Sequence, residues 1–464
     1  MTNTQHKHTL KPFLKKYSGL RELRGLTAEI DYTTLSIDSR TIRTNELFVA
    51  LRGENHDGHL YATTAIEKGA SAIVVEKQWV TKNSIPKNGT VIVVEDTLDF
   101  LQQLGAWHRR KFDIPVIGLT GSNGKTTTRE MIAAVLEKKY AAFRSAGNKN
   151  NHIGLPLMLL KLDEAVQIAV LEMGSNHAGE ITLLVEIAAP TAGAITNIGK
   201  GHIGYFGGLR EIYREKTALF DAIDAREPIF VNAEDQYLRD YPRQNRLAVT
   251  VGFSDDCDVW GTIESVDELG RIKFLLNGWL PVQLSVPGRH NVLNALLAAA
   301  VGIHYGVSET DVQAALENFR PASQRMSFFE RNGVLFINDA YNANPDSMRA
   351  AVDYLSNLPR AGKRILVLGD MLELGKFAEP EHRELGEYIA NNNIDAVFLF
   401  GELTKFTRQG IAKAKKIPAF WHDSHKEIAE NLQSLLSAGD AVLFKGSRGM
   451  TMEKVLKFLG LSVD

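Results

Sequence analysis

At 464 residues, the chain has room for roughly three domains of about 150 residues each. Hydrophobic residues make up 44% and charged residues 23%, a globular balance that excludes a disordered, collagen-like or coiled-coil chain. With 53 Lys plus Arg against 55 Asp plus Glu, the net charge of −2 is too balanced for a coat on nucleic acid or an anionic membrane, and the single Cys257 excludes an intrachain disulfide or a cysteine zinc site.

Residues 1–20 mix His, Lys and Thr without the apolar core of a signal peptide, and no run approaches the roughly 18 apolar residues of a membrane span. A soluble, cytoplasmic protein without membrane insertion is expected, and one Cys suits a reducing compartment. The first segment, residues 1–113, is mixed: a strand over 46–51, a short helix over 62–68, a strand over 72–76 and a long apolar-periodic helix over 97–110. Residues 109–113, ahead of Pro115, read as a linker.

The second segment, residues 114–319, opens on a buried strand over 115–120, then Gly121-Ser-Asn-Gly124 and a helix over 125–139. Strands over 167–173 and 192–197 follow, each succeeded by a helical stretch, and this alternation predicts a parallel sheet. Residues 247–286 read as an antiparallel excursion of short strands before a helix beginning near Asn291, whose apolar run 296–303 reads as buried. The third segment, residues 320–464, alternates again, with strands over 334–338, 364–368, 396–400 and 441–444. A doubly wound, Rossmann-like sheet is predicted, without the GxGxxG that a dinucleotide site needs.

Thr120-Gly-Ser-Asn-Gly-Lys-Thr-Thr127 is the strongest motif. Its glycines let backbone N–H groups converge on phosphate oxygens; Lys125 would reach the terminal phosphates and Thr126 would offer its hydroxyl to Mg²⁺. It is the shorter GxxGK[ST] form, since Leu119 stands where the longer pattern has Gly. The bland alternative, a glycine-rich turn without ligand, leaves Lys-Thr at the helix start unexplained.

The remaining candidates are less specific alone. Glu172 ends a buried strand, where open α/β sheets place their sites, yet serves equally as an ordinary strand-end carboxylate. His202, in a loop after another strand, reads as solvated, and so does Lys216 in the amphipathic stretch 209–223. Asn291 can cap its helix and Asn294, three residues on, can share its face. Arg325 could clamp a transferring phosphate. Asp339 precedes the polar loop Tyr341-Asn-Ala-Asn-Pro345, whose ligand does not follow from the residues.

Together these motifs resemble the Mur ligase superfamily of ATP-dependent amino-acid ligases, over nearly the whole chain. Asp38-Ser-Arg40, Leu47-Phe-Val-Ala-Leu-Arg-Gly53 and Asp57-Gly-His59 look like its UDP-binding domain, and Gly121 to Thr126 like its ATP loop. Four segments point within the superfamily to one activity: Gly147-Asn-Lys-Asn-Asn-His-Ile-Gly154, Asp339-Ala-Tyr-Asn-Ala-Asn-Pro-Asp-Ser347, Leu368-Gly-Asp-Met-Leu-Glu-Leu-Gly375 and Lys445-Gly-Ser-Arg448. That activity joins D-alanyl-D-alanine to UDP-N-acetylmuramoyl-tripeptide.

The resemblance implies that ATP turns the tripeptide carboxylate into an acyl phosphate, which the dipeptide amine attacks to give the pentapeptide, ADP and phosphate. It implies an α/β UDP-substrate domain over 1–113, a central phosphate-loop ATPase over 114–319 and a C-terminal dipeptide domain over 320–464. Lys125, Glu172, His202 and Lys216 would carry the chemistry. Thr126 and Glu172 match ligands of a first Mg²⁺ and His202 a ligand of a second; Lys216 matches a lysine carbamylated by CO₂, which turns a repelling ammonium into an oxygen donor. ATP contacts are implied at Thr120, Gly121, Ser122, Asn123, Gly124, Thr127, Asn291, Asn294, Arg325 and Asp339, with His290 a further position. Substrate contacts are implied at Ser39, Arg40, Asn148, Asn150, Asn151, Ser175, Asn342, Asn344, Lys445, Ser447 and Arg448. A monomer is expected. The competing readings are a Mur-type or folylpolyglutamate-type ligase that adds a single amino acid, and a phosphate-loop nucleotide switch.

Overall fold

The structure, a computed structural model, describes residues 7–25, 30–54, 56–83, 89–321, 324–414 and 417–461. Residues 1–6, part of the stretch read as free of a targeting signal, lie outside the described residues. By internal contacts the chain divides into two compact units. Met1–Gly118, Ser145–Met173 and Thr182–Pro190 form the first, and Leu119–Arg144, Gly174–Ile181 and Thr191–Asp464 form the second. Among the described residues, no helix is long and apolar enough to cross a membrane.

In the first unit a five-stranded sheet runs in the order Leu20–Arg24, Val91–Val94, Ala72–Glu76, Leu47–Val49, Leu35–Ser36. The first pair is antiparallel and the others are parallel. Its apolar strands are buried on both faces, as parallel strands are. Thr97–Arg109 covers one face with Phe100 and Leu104, and Ala62–Glu67 the other with Ala62 and Ala65. Asp96 caps the longer helix, accepting from Leu98 N–H at 2.7 Å and Asp99 N–H at 3.0 Å. The stretch 109–113, which the sequence reads as a linker, is held at its first residue. Arg109 is buried, and its guanidinium bonds the carbonyls of Ala188 and Phe112 at 3.0 and 2.6 Å, fastening the segment down.

In the second unit a sheet runs in the order Leu280–Pro287, Arg271–Leu276, Val259–Val266, Ala248–Gly252, Ile229–Asn232, Ala192–Ile195. Beyond these, Thr196 N–H reaches Thr120 C=O at 3.0 Å. Here the sequence reading needs correction at one end. Ala248–Gly252 pairs parallel to both neighbours, so the antiparallel excursion begins only at Val259–Val266. Ala248–Gly252 is only half-buried over its first three residues, so it lacks the continuous apolar run that marks a parallel strand buried on both faces. A six-stranded sheet closes the unit in the order Ser327–Arg331, Val334–Asn338, Ala441–Lys445, Arg364–Gly369, Ala396–Phe400, Ala419–His422. All of its pairs are parallel except the edge strand Ser327–Arg331. Its carboxyl ends, as in other doubly wound sheets, carry the polar loops described next.

Candidate functional site

Val116–Thr120 runs into Gly121-Ser-Asn-Gly124 and the helix Lys125–Leu136. A neighbouring loop fixes the turn. Ser122 N–H bonds Asn197 C=O at 2.9 Å, Asn123 N–H bonds Asn197 Oδ1 at 3.0 Å, and Thr196 Oγ1 donates to Asn123 C=O at 2.6 Å. The loop is thus shaped by its own unit. Lys125 Nζ lies back over it, donating to Gly121 C=O at 2.7 Å.

Asn294 packs against this turn, and its Nδ2 donates to Asn291 Oδ1 at 2.9 Å; Asn291 Nδ2 donates to Pro287 C=O at 2.7 Å. Both amides are buried, so they share a face as their spacing predicts. Asn291 does not cap its helix, however: Arg289–His304 starts earlier, at Gly288, leaving Asn291 in the first turn. Gly124 has φ 79°, and a Cβ there would meet Asn294 Oδ1 at 2.8 Å. Gly124→Ala therefore carries both left-handed strain of about 1–2 kcal/mol and a clash. Titration with fluorescent ADP is expected to show affinity at least about tenfold weaker.

Lys216 is not the solvated lysine that periodicity suggested. It lies on Leu209–Ala222 with 1% of its surface exposed, and Nζ is 3.3 Å from Ser175 Oγ. Burial, reinforced by the charge of Lys125, pushes its ammonium down to about 7, against the opposing pull of Glu215 and Glu180. Glu215, the neighbouring carboxylate, accepts from Gly179 and Ile181 N–H, both at 2.7 Å, at the start of Glu180–Ala188. A strictly amphipathic pattern hides such a residue, because a buried lysine breaks the pattern without changing its period.

His202 sits at φ 59°, heading the short helix Ile203–Phe206, with Nδ1 2.6 Å from Glu373 Oε2. The nearby His202 imidazole holds the Glu373 carboxyl below its usual range despite partial burial.

The C-terminal segment reaches the phosphate loop directly. Arg325 Nη2 lies 3.1 Å from Thr126 Oγ1, with the guanidinium 3.9 Å over the Tyr341 ring. Asn344 Nδ2 donates to Asn123 Oδ1 at 2.7 Å, while Asn344 Oδ1 accepts from Ser347 N–H at 2.9 Å in a capping box opening Pro345–Ser356. Asp339 Oδ2 meets Lys445 Nζ at 2.5 Å, and the same Nζ reaches Asn342 C=O at 3.1 Å. Ser447 Oγ accepts from Leu372 N–H at 2.8 Å, so that hydroxyl braces a loop. Arg448 divides between Gln324 and Glu453, both at 2.9 Å. His290 is exposed.

Comparisons with known proteins agree along the chain. Residues 31–108 match the Mur ligase family, catalytic domain; 119–302 match the Mur ligase middle domain; and 324–448 match the Mur ligase, glutamate ligase domain. The UDP-N-acetylmuramoyl-tripeptide–D-alanyl-D-alanine ligase of Bacillus subtilis is 37% identical over 92% of each chain. MurF from Acinetobacter baumannii superposes with a TM-score of 0.88 at 32% identity, covering 98% of this chain and 99% of that one. MurF from Thermotoga maritima in complex with ADP gives 0.81 at 28% identity, covering 92% and 96%.

The chain belongs to the Mur ligase family. Its mixed α/β sheets are those the family resemblance implied. The remaining candidates of this Mur ligase lie in the first unit, apart from Ser175, Thr120 and Thr127. Glu172 is buried at the end of Ile168–Glu172, and Asn150 Nδ2 donates to its Oε1 at 2.8 Å. Asn151 Oδ1 accepts from Gly154 N–H at 2.8 Å, and Asn148 is exposed. Arg40 is exposed and pairs with Asp38 at 2.7 Å; Ser39 is buried, its carbonyl accepting from Lys68 Nζ at 2.9 Å.

Among the described residues, no three His, Cys, Asp or Glu side chains gather into a metal site. The second unit offers the Thr126 hydroxyl, the His202 imidazole and the buried Lys216. This set has no thiolate and one imidazole, and phosphate oxygens with a carboxylated lysine would complete it as the oxygen-rich set that Mg²⁺ prefers. Sequence reasoning missed Glu373, Asp346, Lys200 and Glu215; Glu373 and Asp346 lie inside quoted motifs, so their positions carried a signal but their partners did not.

Proposed function

We propose that this Mur ligase uses ATP to join D-alanyl-D-alanine to UDP-N-acetylmuramoyl-tripeptide through an acyl phosphate. What supports it most is the contact of Arg325 and Asn344 with the phosphate loop, in a chain that matches a ligase of that name over 92% of its length. A carboxylate is a poor electrophile because it is anionic and its oxygen leaves badly; phosphorylation removes both obstacles. Bringing that anion to ATP requires cationic and N–H donors aimed at the phosphates. Lys125 and the start of Lys125–Leu136 would take the β- and γ-phosphates, Asn291 and Asn294 the nucleotide, and Asp339 the ribose.

Thr126, Glu172, His202 and carbamylated Lys216 would hold Mg²⁺, which when bound neutralises charge between nucleotide and carboxylate. The low pKa of Lys216 supplies the neutral amine that CO₂ needs. The polar loops with Asn342, Asn344, Lys445, Ser447 and Arg448 would face the dipeptide, and Ser39, Arg40, Asn148, Asn150, Asn151 and Ser175 the UDP substrate. Boundaries near 113 and 319, a monomeric state and a cytoplasmic setting complete the reading.

Coupled ADP release tests it. Turnover is expected only with both the UDP-tripeptide and D-alanyl-D-alanine, and to fall at least about a hundredfold when the dipeptide is replaced by glutamate or alanine. Turnover without dipeptide would favour a nucleotide switch, and equal turnover with glutamate would favour a glutamate-adding ligase.

A further inference from the structure

One side chain grips the phosphate loop through both polar groups of a single residue. Asn197, just beyond the strand Ala192–Ile195, accepts from Asn123 N–H through Oδ1 at 3.0 Å and donates from Nδ2 to Asn123 C=O at 3.0 Å. Its own C=O accepts from Ser122 N–H at 2.9 Å. Thr196 Oγ1 donates to the same Asn123 C=O at 2.6 Å. The approach is close: Gly121 has φ 144°, and a Cβ there would collide with Thr196 Oγ1. Ser122 Oγ adds two more bonds, accepting from Gly199 N–H at 2.8 Å and donating to Gly199 C=O at 3.0 Å.

Residues 196–199 are held by a second element as well. Asn232 Nδ2 donates to Thr196 C=O at 2.7 Å, and Asp235 Oδ2 accepts from Ile198 N–H at 2.7 Å. Asp235 Oδ1 is itself fixed by Tyr237 and Leu238 N–H, at 2.9 and 3.0 Å. The stretch is therefore pinned to the turn after Ile229–Asn232, and the glycine-rich loop is shaped against it. The residue type matters too. A carboxamide carries an acceptor and a donor on one planar group, so it can pair with the N–H and the C=O of one residue; a carboxylate of the same shape can only accept. The clamp also limits which donors meet phosphate. The Ser122 and Asn123 N–H groups, which a glycine-rich loop could turn on phosphate oxygens, are engaged by Asn197. Phosphate recognition then falls to Lys125 and the head of Lys125–Leu136, whose aim depends on how the loop is held.

We propose that Asn197 is a positioning residue for nucleotide binding, fixing the phosphate loop in the shape that aims Lys125 and the helix head at the nucleotide phosphates. It acts through the loop, not by contact with the nucleotide. This rests on the reading of residues 121–126 as the phosphate loop.

The test uses the full-length enzyme and fluorescent ADP, displaced by ADP or by adenosine. Asn197→Ala is expected to bind ADP about tenfold more weakly, the scale of two hydrogen bonds lost from the loop, with adenosine affinity within about twofold of wild type. Adenosine carries no phosphate, so a general loss of structure weakens both ligands together, whereas a misplaced loop weakens ADP alone. A second measurement needs no variant. In wild type, hydrogen exchange at the Ser122 and Asn123 amides is expected to be slow already without ADP and to slow little further with it, because Asn197 and not phosphate holds those protons. Amides that exchange freely without ADP and are protected only with it would overturn the role. So would ADP affinity within about twofold of wild type in folded Asn197→Ala, or equal losses of ADP and adenosine. Lys125→Ala tests the underlying reading separately. If it leaves ADP affinity unchanged, residues 121–126 are not the phosphate site and this inference falls with that reading; if it weakens ADP while Asn197→Ala does not, only the positioning role falls.

Discussion

Lys216→Ala is expected to lower kcat by about a thousandfold or more while leaving ADP affinity within severalfold of wild type. On the proposed role of Lys216 as a carbamylated metal ligand, its removal forfeits several kcal/mol of charge stabilisation, at 1.36 kcal/mol per factor of ten. A second consequence separates function from stability. Lys216 is almost wholly buried with one hydroxyl near its ammonium, an arrangement that costs folding energy. Lys216→Met, inactive for the same reason, is expected to be more stable by on the order of 1–4 kcal/mol, as when buried charges yield to apolar side chains. The sign with pH is fixed by the downward shift to about 7. Below that pH the lysine is charged in both folded and unfolded chains, and the full cost is present. As pH rises toward the ordinary lysine value the folded form is already neutral, and the cost fades. The gain from Met should therefore be largest below pH 7 and shrink above it, in thermal melts run across pH.

On the proposed carbamylation of Lys216, the same shift would set the pH at which the carbamate forms. The neutral amine forms its N–C bond to CO₂ and releases a proton, so enzyme stripped of CO₂ at pH 6 should stay inactive until bicarbonate and higher pH are restored. Recovery at pH 6 as fast as at pH 8 would count against Lys216 as the carboxylated group.

The alternation of strands and helices was legible in the sequence because buried parallel strands are short apolar runs, as in Ala72–Glu76 and Ala396–Phe400. The phosphate loop was legible because glycines and Lys-Thr sit between a buried strand and a helix. Lys216 was not, since its chemistry comes from burial and a helix wheel does not report which face meets another helix. Nor were the pairings of Glu373 with His202 and of Asp339 with Lys445, each of which joins loops more than a hundred residues apart. Asn151 shows the opposite limit. Its motif is conspicuous, but nothing in the residue pattern announces that its amide oxygen accepts from Ile153 and Gly154 N–H at the head of Gly154–Leu159.

Arg325→Ala is expected to lower kcat by about 10²–10³-fold, with the KM for the UDP-tripeptide changed by less than about threefold. The guanidinium comes from the C-terminal segment and ends 3.1 Å from Thr126 Oγ1, at the head of the phosphate-loop helix. A cation there gains most when the γ-phosphoryl group is in transit and its charge is spread over more oxygens than in ground-state ATP. Its contribution is therefore concentrated in the transition state, which affects kcat rather than ground-state binding. The Tyr341 ring 3.9 Å beneath it holds the side chain in place, so little ordering remains to be done during reaction. Arg325→Lys keeps the charge but loses the planar fork and much of that stacking, and should recover only part of the rate. Equal losses in kcat and in UDP-tripeptide affinity would place Arg325 in general binding and sink the assignment. A fall in ADP affinity with unchanged kcat would make it a nucleotide clamp instead. The measurement that separates these outcomes is single-turnover formation of ADP at saturating ATP, because it isolates phosphoryl transfer from the steps that follow it.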